Sequence, residues 1–297
     1  MAGIGFESKQ TENTPVTRVE YGPFRVRYAY SLSYERVTGN RPSNDYLEWS
    51  ANGDILVFAL CDGVETSFAG GSAARFLGRK LVEWLSALPA EQTEDLDQIK
   101  RLLDVALVEW MPAAQRAVRS KVKPSEAVFT CGRVSAGPDG LRGFMAGSGL
   151  ILVRLYDRKN RDIRFTPLRH AYDRWSSLRG SRGQTFVEPL GPRPPPPRMM
   201  LCTDGLTTMV TDEEILDEIR KPGTAADMVK RLVDQANAHG GRDNVTVMIA
   251  RINPGTLEMA RLKMRSFLRR NAKSMVVMFA LLAYGALCGA AGYFLRP

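Results

Sequence analysis

Histidine is almost missing from these 297 residues. His170 and His239 are the only two, neither has a partner at ligand spacing, and a loop or surface role fits them better than catalysis. Cysteine is scarce as well. Cys61, Cys131, Cys202 and Cys288 sit inside apolar runs without metal-finger spacing, which argues against a disulfide scaffold or a zinc site and fits a reducing compartment. The start of the chain lacks the basic segment and apolar core of a secretory signal, and residues 1–19 read as a flexible polar tail. No internal repeat is found. One run is biased in composition, Pro192–Pro197, a stiff connector or a polyproline ligand. Acid is absent from residues 261–273, which hold six Lys or Arg. Without those six and Arg296, the net charge of +9 falls to +2, so the basicity is local and a nucleic-acid partner is not expected. A composition of 44% hydrophobic and 25% charged residues excludes a wholly disordered or collagen-like chain.

A stretch without charge of either sign follows that acid-free segment and is longer. Residues 275–295 are 21 in a row without a charge, as a helix roughly 32 Å long, enough for a hydrocarbon core of about 30 Å. The basic cluster before it places everything upstream on the cytoplasmic side. The expected organisation is a tail over 1–19, a globular domain over 20–254, a basic juxtamembrane linker over 255–273 and a transmembrane helix over 274–296. The chain would thus be single-pass, anchored in lipid at its C-terminus. Gly285 and Gly289 are four apart, either a face for homodimerisation or a chance pair in an alanine-rich helix.

Within 20–254, period-two alternation at Phe24, Val26, Tyr28, Tyr30 and Leu32 predicts a half-buried first strand, and the unbroken apolar run Ile55–Leu60 a strand covered on both faces. Helical spacing follows at Ala73–Trp84, at Leu96–Trp110, ended by Pro112, and at Ala225–Ala236. Phe144–Leu155, Met199–Thr203 and Val245–Ile252 read as further strands, and Thr211 with Glu214 as a capping box. Strands, then two helices, then strands is not a doubly wound alternation.

Three aspartates end or begin strongly apolar strands: Asp62 before Gly63, Asp204 before Gly205, and Asp243 before Asn244. An isolated Asp-Gly is commonly a turn. If the strands lie side by side, however, three carboxylates converge, and such a cluster is costly unless a hard cation neutralises it. Oxygen-only ligation favours Mg or Mn over zinc.

The segments Arg41–Asp45 (RPSND), Val57–Gly63 (VFALCDG), Leu201–Leu206 (LCTDGL) and Gly241–Thr246 (GRDNVT) resemble, in order and spacing, the motifs of the protein phosphatase 2C family. The resemblance runs from about Tyr21 to Ile252. It implies an α+β fold, a four-layer α/β/β/α sandwich of two antiparallel sheets flanked by helices. It also implies a protein serine/threonine phosphatase that hydrolyses phosphoserine and phosphothreonine in a phosphorylated protein, with a metal-activated water and two Mg²⁺ or Mn²⁺ ions; the C-terminal span would make it membrane-tethered. Carried over, Asp62 would bridge the ions, the Gly63 carbonyl would hold one, and Asp204 and Asp243 the other. Asp45 would hold metal or its water, and Arg41 would orient the phosphate, its planar fork matching two oxygens.

Three departures separate this chain from the family pattern. Asn44 and Asp45 are adjacent where the family has one more residue between them. Glu65-Thr66 replaces a glycine pair, with Gly70 and Gly71 following. Gly147-Ser148-Gly149 stands where many members carry an aspartate linked to a third metal. They support a rival reading, a pseudophosphatase that binds a phosphoprotein without turning it over. Arg169, Arg174, Arg179 and Arg182 fall in the region of the family's variable flap, to attract an acidic phosphopeptide or simply as a solvated loop. Cys61 and Cys202 flank the expected ligands, as buried strand cysteines or as redox-sensitive thiols.

Overall fold

The computed structural model describes residues 3–137, 140–149, 151–156, 162–165, 173–182, 184–190 and 198–252, with residues 260, 263, 264 and 271. The chain divides into a unit Met1–Asn253 and a unit Pro254–Pro297; the described residues of the second are helical. The expected membrane span, Gly285, Gly289, Cys288, His170, Arg169 and Pro192–Pro197 lie outside the described residues. Among the described residues no helix is long and apolar enough to cross a membrane.

The first unit is built on two antiparallel sheets. One contains β1 (Ile4–Glu7), β4 (Asp45–Asn52), β5 (Ile55–Gly63) and β6 (Glu126–Ala136) in that spatial order. Along the far edge of β6 run β7 (Leu141–Ser148), extended by β12 (Phe186–Pro189), and β10 (Arg174–Ser176), extended by β11 (Gly180–Arg182). The other sheet has the order β2 (Thr14–Tyr21), β3 (Phe24–Ser31), β14 (Val245–Ile252), β13 (Arg198–Cys202), β8 (Leu152–Tyr156) and β9 (Asp162–Phe165).

Strand alternation sorts the core into layers. In β5, Val57, Ala59 and Cys61 pack under α2 (Gly70–Ala87), α3 (Leu96–Glu109) and α4 (Met111–Ala117). The alternate residues Leu56, Phe58 and Leu60, all fully buried, face the second sheet, as does Asp62. On the second sheet Met200, Cys202, Val245, Val247 and Ile249 pack against α6 (Asp212–Arg220) and α7 (Ala225–Ala238). Met199, Leu201, Met248 and Ala250 face inward. The sheets meet where the Tyr28 ring edges onto Trp49, centroids 6.0 Å apart. The expected α/β/β/α sandwich is therefore present.

Four local expectations are corrected. Residues 1–19 are not a loose tail, because β1 pairs with β4 and β2 with β3. Few of their side chains are apolar, so backbone hydrogen bonding rather than hydropathy recruits them. β3 is an inner strand between β2 and β14 and is almost wholly buried. Phe144–Leu155 is two strands in different sheets, broken at Gly149, whose φ of +88° suits glycine alone. Pro112 occupies the first turn of α4, where a missing N–H costs nothing, so it opens that helix. The Thr211–Glu214 capping box is present and has a counterpart in Thr224 and Asp227.

Candidate functional site

The inward-facing strand ends converge. Asp45 opens β4 and Asp62 nearly closes β5, and the two are direct cross-strand partners. From the opposite sheet, Thr203 follows β13 and Thr246 lies in β14, and both hydroxyls donate to Asp45 Oδ2, at 2.9 and 2.6 Å. The Thr246 N–H in turn donates to Thr203 Oγ1 at 3.1 Å. Asp45 is only 2% exposed and so ties the two sheets together. Asp204 begins the short helix α5 (Asp204–Thr207), and Asp243 sits one residue before the buried Asn244.

The two Asp-Gly pairs are not turns. A Cβ on Gly63 would lie 2.1 Å from the Gly70 carbonyl carbon, and one on Gly205 would lie 2.0 Å from the Asn244 carbonyl oxygen. Each glycine lets a neighbouring backbone approach the strand end that carries an aspartate. Gly71 presses likewise on the Ser43 carbonyl. Gly70 and Gly71 thus supply the close approach for which the chain has no glycines at Glu65-Thr66.

The electrostatics are those of crowded carboxylates. Burial raises the Asp45 carboxyl well above its ordinary range, with the Asp243 and Asp204 charges adding to the effect and the two threonine hydroxyls opposing it. Burial likewise raises Asp62, reinforced by Asp45, Asp204 and Asp243 and by a hydrogen bond to Asp204. That bond raises Asp62 and lowers Asp204. Burial and Asp243 leave Asp204 raised nonetheless. Asp243 is the exposed member of the set; partial burial raises it and the Arg36 charge opposes the rise. Four oxygen-bearing acids held together at this cost fit hard cations. Among the described residues no three His, Cys, Asp or Glu side chains are already closed around one cation position.

Arg41 does not join the cluster. It is exposed and its side chain lies beside Gly39. The guanidinium that does act there is Arg36, in the short helix α1 (Tyr34–Thr38). Its Nη2 is 3.0 Å from Glu65 Oε1, and both charges act on Asp243. Two bonds seat α1 beside that aspartate: Tyr34 N–H to the Gly241 carbonyl at 3.1 Å and Ser33 N–H to Asn244 Oδ1 at 3.2 Å. Nothing in the sequence around Arg36 distinguishes it, since its place depends on contacts more than two hundred residues away. Thr203 and Thr246 stood within the quoted motifs without being singled out.

The remaining candidates fall away from the cluster. Cys61 and Cys202 point into the helix-facing cores, where burial pushes Cys61 well up and Cys202 to about 12; neither is a thiolate at neutral pH. Ser148 shares a face with Phe144 and Ala146, directed at the helices rather than between the sheets. Arg174 pairs with Glu126 at 3.0 Å, and Arg179 is exposed. His239 caps α7, with Nδ1 2.7 Å from the Met209 carbonyl oxygen.

The sequence profile of protein phosphatase 2C matches residues 34–247. The serine/threonine phosphatase stp of Listeria innocua is 34% identical over 55 residues, 18% of this chain and 22% of that protein. PstP, a serine/threonine protein phosphatase of Mycobacterium tuberculosis, is 45% identical over 53 residues, 18% of this chain and 10% of that one. The chain thus aligns with about a fifth or less of these relatives' length. Solved structures extend the likeness to the whole domain. A bacterial serine phosphatase superposes with a TM-score of 0.57 at 19% identity, over 78% of this chain and 98% of that one. The PstP catalytic domain in complex with two manganese ions gives 0.54 at 20% identity, over 77% and 99%.

Proposed function

Because this chain belongs to the protein phosphatase 2C family, its residues 34–247 carrying the family's domain, we propose that it is a metal-dependent protein serine/threonine phosphatase acting on phosphorylated proteins. The observation that carries the reading is the meeting of Asp45, Asp62, Asp204 and Asp243 at the inward ends of strands from both sheets. Asp62, Asp204 and Asp243, with the Gly63 carbonyl, would hold two Mg²⁺ or Mn²⁺ ions, as the manganese-bound PstP structure suggests by likeness of fold. Such ions lower the pKa of water and neutralise charge on phosphoryl oxygens. Asp45, engaged by two threonine hydroxyls, braces Asp62 from the neighbouring strand. Arg36 and Arg41 both rise from the rim formed by α1 and its C-terminal cap. Arg36, beside Asp243 and paired with Glu65, is the better placed to meet a phosphate.

Residues 274–296 would hold the enzyme on a membrane with the catalytic domain cytoplasmic, the reading supported by the charge-free run and the basic cluster before it. A second reading, a phosphoprotein-binding pseudophosphatase, draws on the inaccessible Asp45 and on Ser148. Hydrolysis of a phosphothreonine peptide by the full chain, with Mn²⁺ and with EDTA, decides between them. Mn²⁺-dependent turnover supports the enzyme; binding without turnover replaces it with the second reading. Carbonate-resistant membrane association tests the anchor, and release by salt alone would refute it.

A further inference from the structure

A large cleft, about 1050 Å³ in volume, lies outside the carboxylate cluster, between residues 7–11 and the outer face of α2. We propose that this cleft is a second binding site, taking an acidic stretch of polypeptide that flanks the phosphorylated residue of a substrate protein. The inference rests on the phosphatase reading for the word substrate, but the site stands on its own geometry.

Lys9, Arg75, Arg79 and Lys80 line the cleft against only Glu7 and Glu83. Both acids are already engaged: Glu7 Oε1 is 2.9 Å from Arg75, and Glu83 Oε2 is 2.7 Å from Lys80. Arg79 is exposed, has no ion-pair partner among the described residues, and acts only at a distance on Glu48, whose carboxylate already accepts the Tyr46 hydroxyl. Lys9 meets Glu12 in a pair exposed on both sides, which an incoming carboxylate can exchange at little cost.

From Ser72 to Glu83 the helix wall runs about 17 Å, the length of about five residues of extended chain. Phe76, stacked on Trp175 with centroids 6.2 Å apart, gives the floor a fixed apolar patch. The opposite wall is not a loose strand end. Gln10 Nε2 donates to the carbonyls of Ser43, Gly71 and Asp45, at 3.1, 3.0 and 3.2 Å. One side chain therefore fastens the cleft to the strand bearing Asp45 and to the first turn of α2. Pro42, in the lining, is three residues from Asp45. A peptide held along α2 would thus lie at the shoulder of the carboxylate cluster.

The test uses the full chain and a fluorescent, unphosphorylated pentapeptide of Glu and Asp, against its Gln and Asn counterpart, by anisotropy. The acidic peptide should bind and the neutral one should not. Arg79→Glu, at an exposed helix position, should weaken binding by about fivefold or more while Mn²⁺-dependent hydrolysis of p-nitrophenyl phosphate is unchanged. With phosphopeptides, it should raise KM for an acidic-flanked sequence and leave kcat alone. Equal binding of both peptides, wild-type binding by Arg79→Glu, or equal competition by an oligonucleotide of the same charge would overturn the proposal. Peptide binding lost in Arg79→Glu, in a chain that hydrolyses no phosphoester, would sink the phosphatase reading and leave the cleft standing.

Discussion

The two sheets contribute unlike halves to one cluster. The first brings Asp45 and Asp62 from adjacent strands, Asp45 buried and Asp62 half-buried, and Asp45 already accepts from two threonine hydroxyls across the interface. The second brings Asp204 and Asp243 from segments just outside its strands, nearer solvent, with Asp243 exposed and under the influence of Arg36. The difference separates a buried carboxylate that ties the sheets together from accessible carboxylates that would, on the proposed reading, exchange a proton for a cation.

Breaking the accessible half should cost activity and spare the fold. Asp204→Asn removes one ligand charge and should lower Mn²⁺-dependent turnover by at least about 100-fold, while the urea midpoint stays close to that of the wild type. A variant that unfolds instead would erase the distinction between the halves. Breaking the buried half should do the reverse. Asp45→Ala leaves the Thr203 and Thr246 hydroxyls without their acceptor in a closed site and should cost about 2–4 kcal/mol in urea unfolding. Gly205→Ala, which drives a Cβ to 2.0 Å from the Asn244 oxygen, should cost about 1–3 kcal/mol, measured the same way.

The pH response sharpens the comparison. Burial holds Asp62 above its ordinary value of 3.8, so the folded state binds this proton more tightly than the unfolded chain does. Its contribution to stability is complete below that ordinary value and is lost as pH rises through the raised native one. Metal-free wild type should therefore lose stability relative to Asp62→Asn as pH rises above the ordinary carboxylate range, and saturating Mn²⁺ should remove the loss. An identical pH profile for the two proteins would place Asp62 outside the crowded set. The smallest effect separates the two rim arginines. Arg36→Ala should lower kcat/KM for a phosphopeptide by about tenfold, and Arg41→Ala by less. The opposite order would restore to Arg41 the role that the family resemblance implies.

Much of this was legible in the residues themselves. Period-two runs and helical faces located most of the elements of the sandwich, because burying one face imposes its period on the sequence. The strand-end setting of Asp62, Asp204 and Asp243 pointed to the cluster for the same reason: an apolar strand that stops at a carboxylate marks where the buried layer meets water. The strands that fall within the expected tail, 4–7 and most of 14–21, carry no such signal, since edge strands joined by backbone hydrogen bonds need no apolar alternation.

What the sequence determined by itself is the set of local patterns: which segments are strands or helices, which face of each is apolar, and which acids stand at their ends. Only the tertiary structure decided which acids share an environment. Strand parity puts Asp62 between the sheets and Cys61 against the helices, and cross-sheet hydroxyls commit Asp45 to bracing. Arg36, rather than Arg41, reaches Asp243 because α1 is bonded to residues 241 and 244. Those contacts join residues some two hundred apart in the chain. Local propensity carries no information about such pairs, and their energies exist only once the sheets have closed.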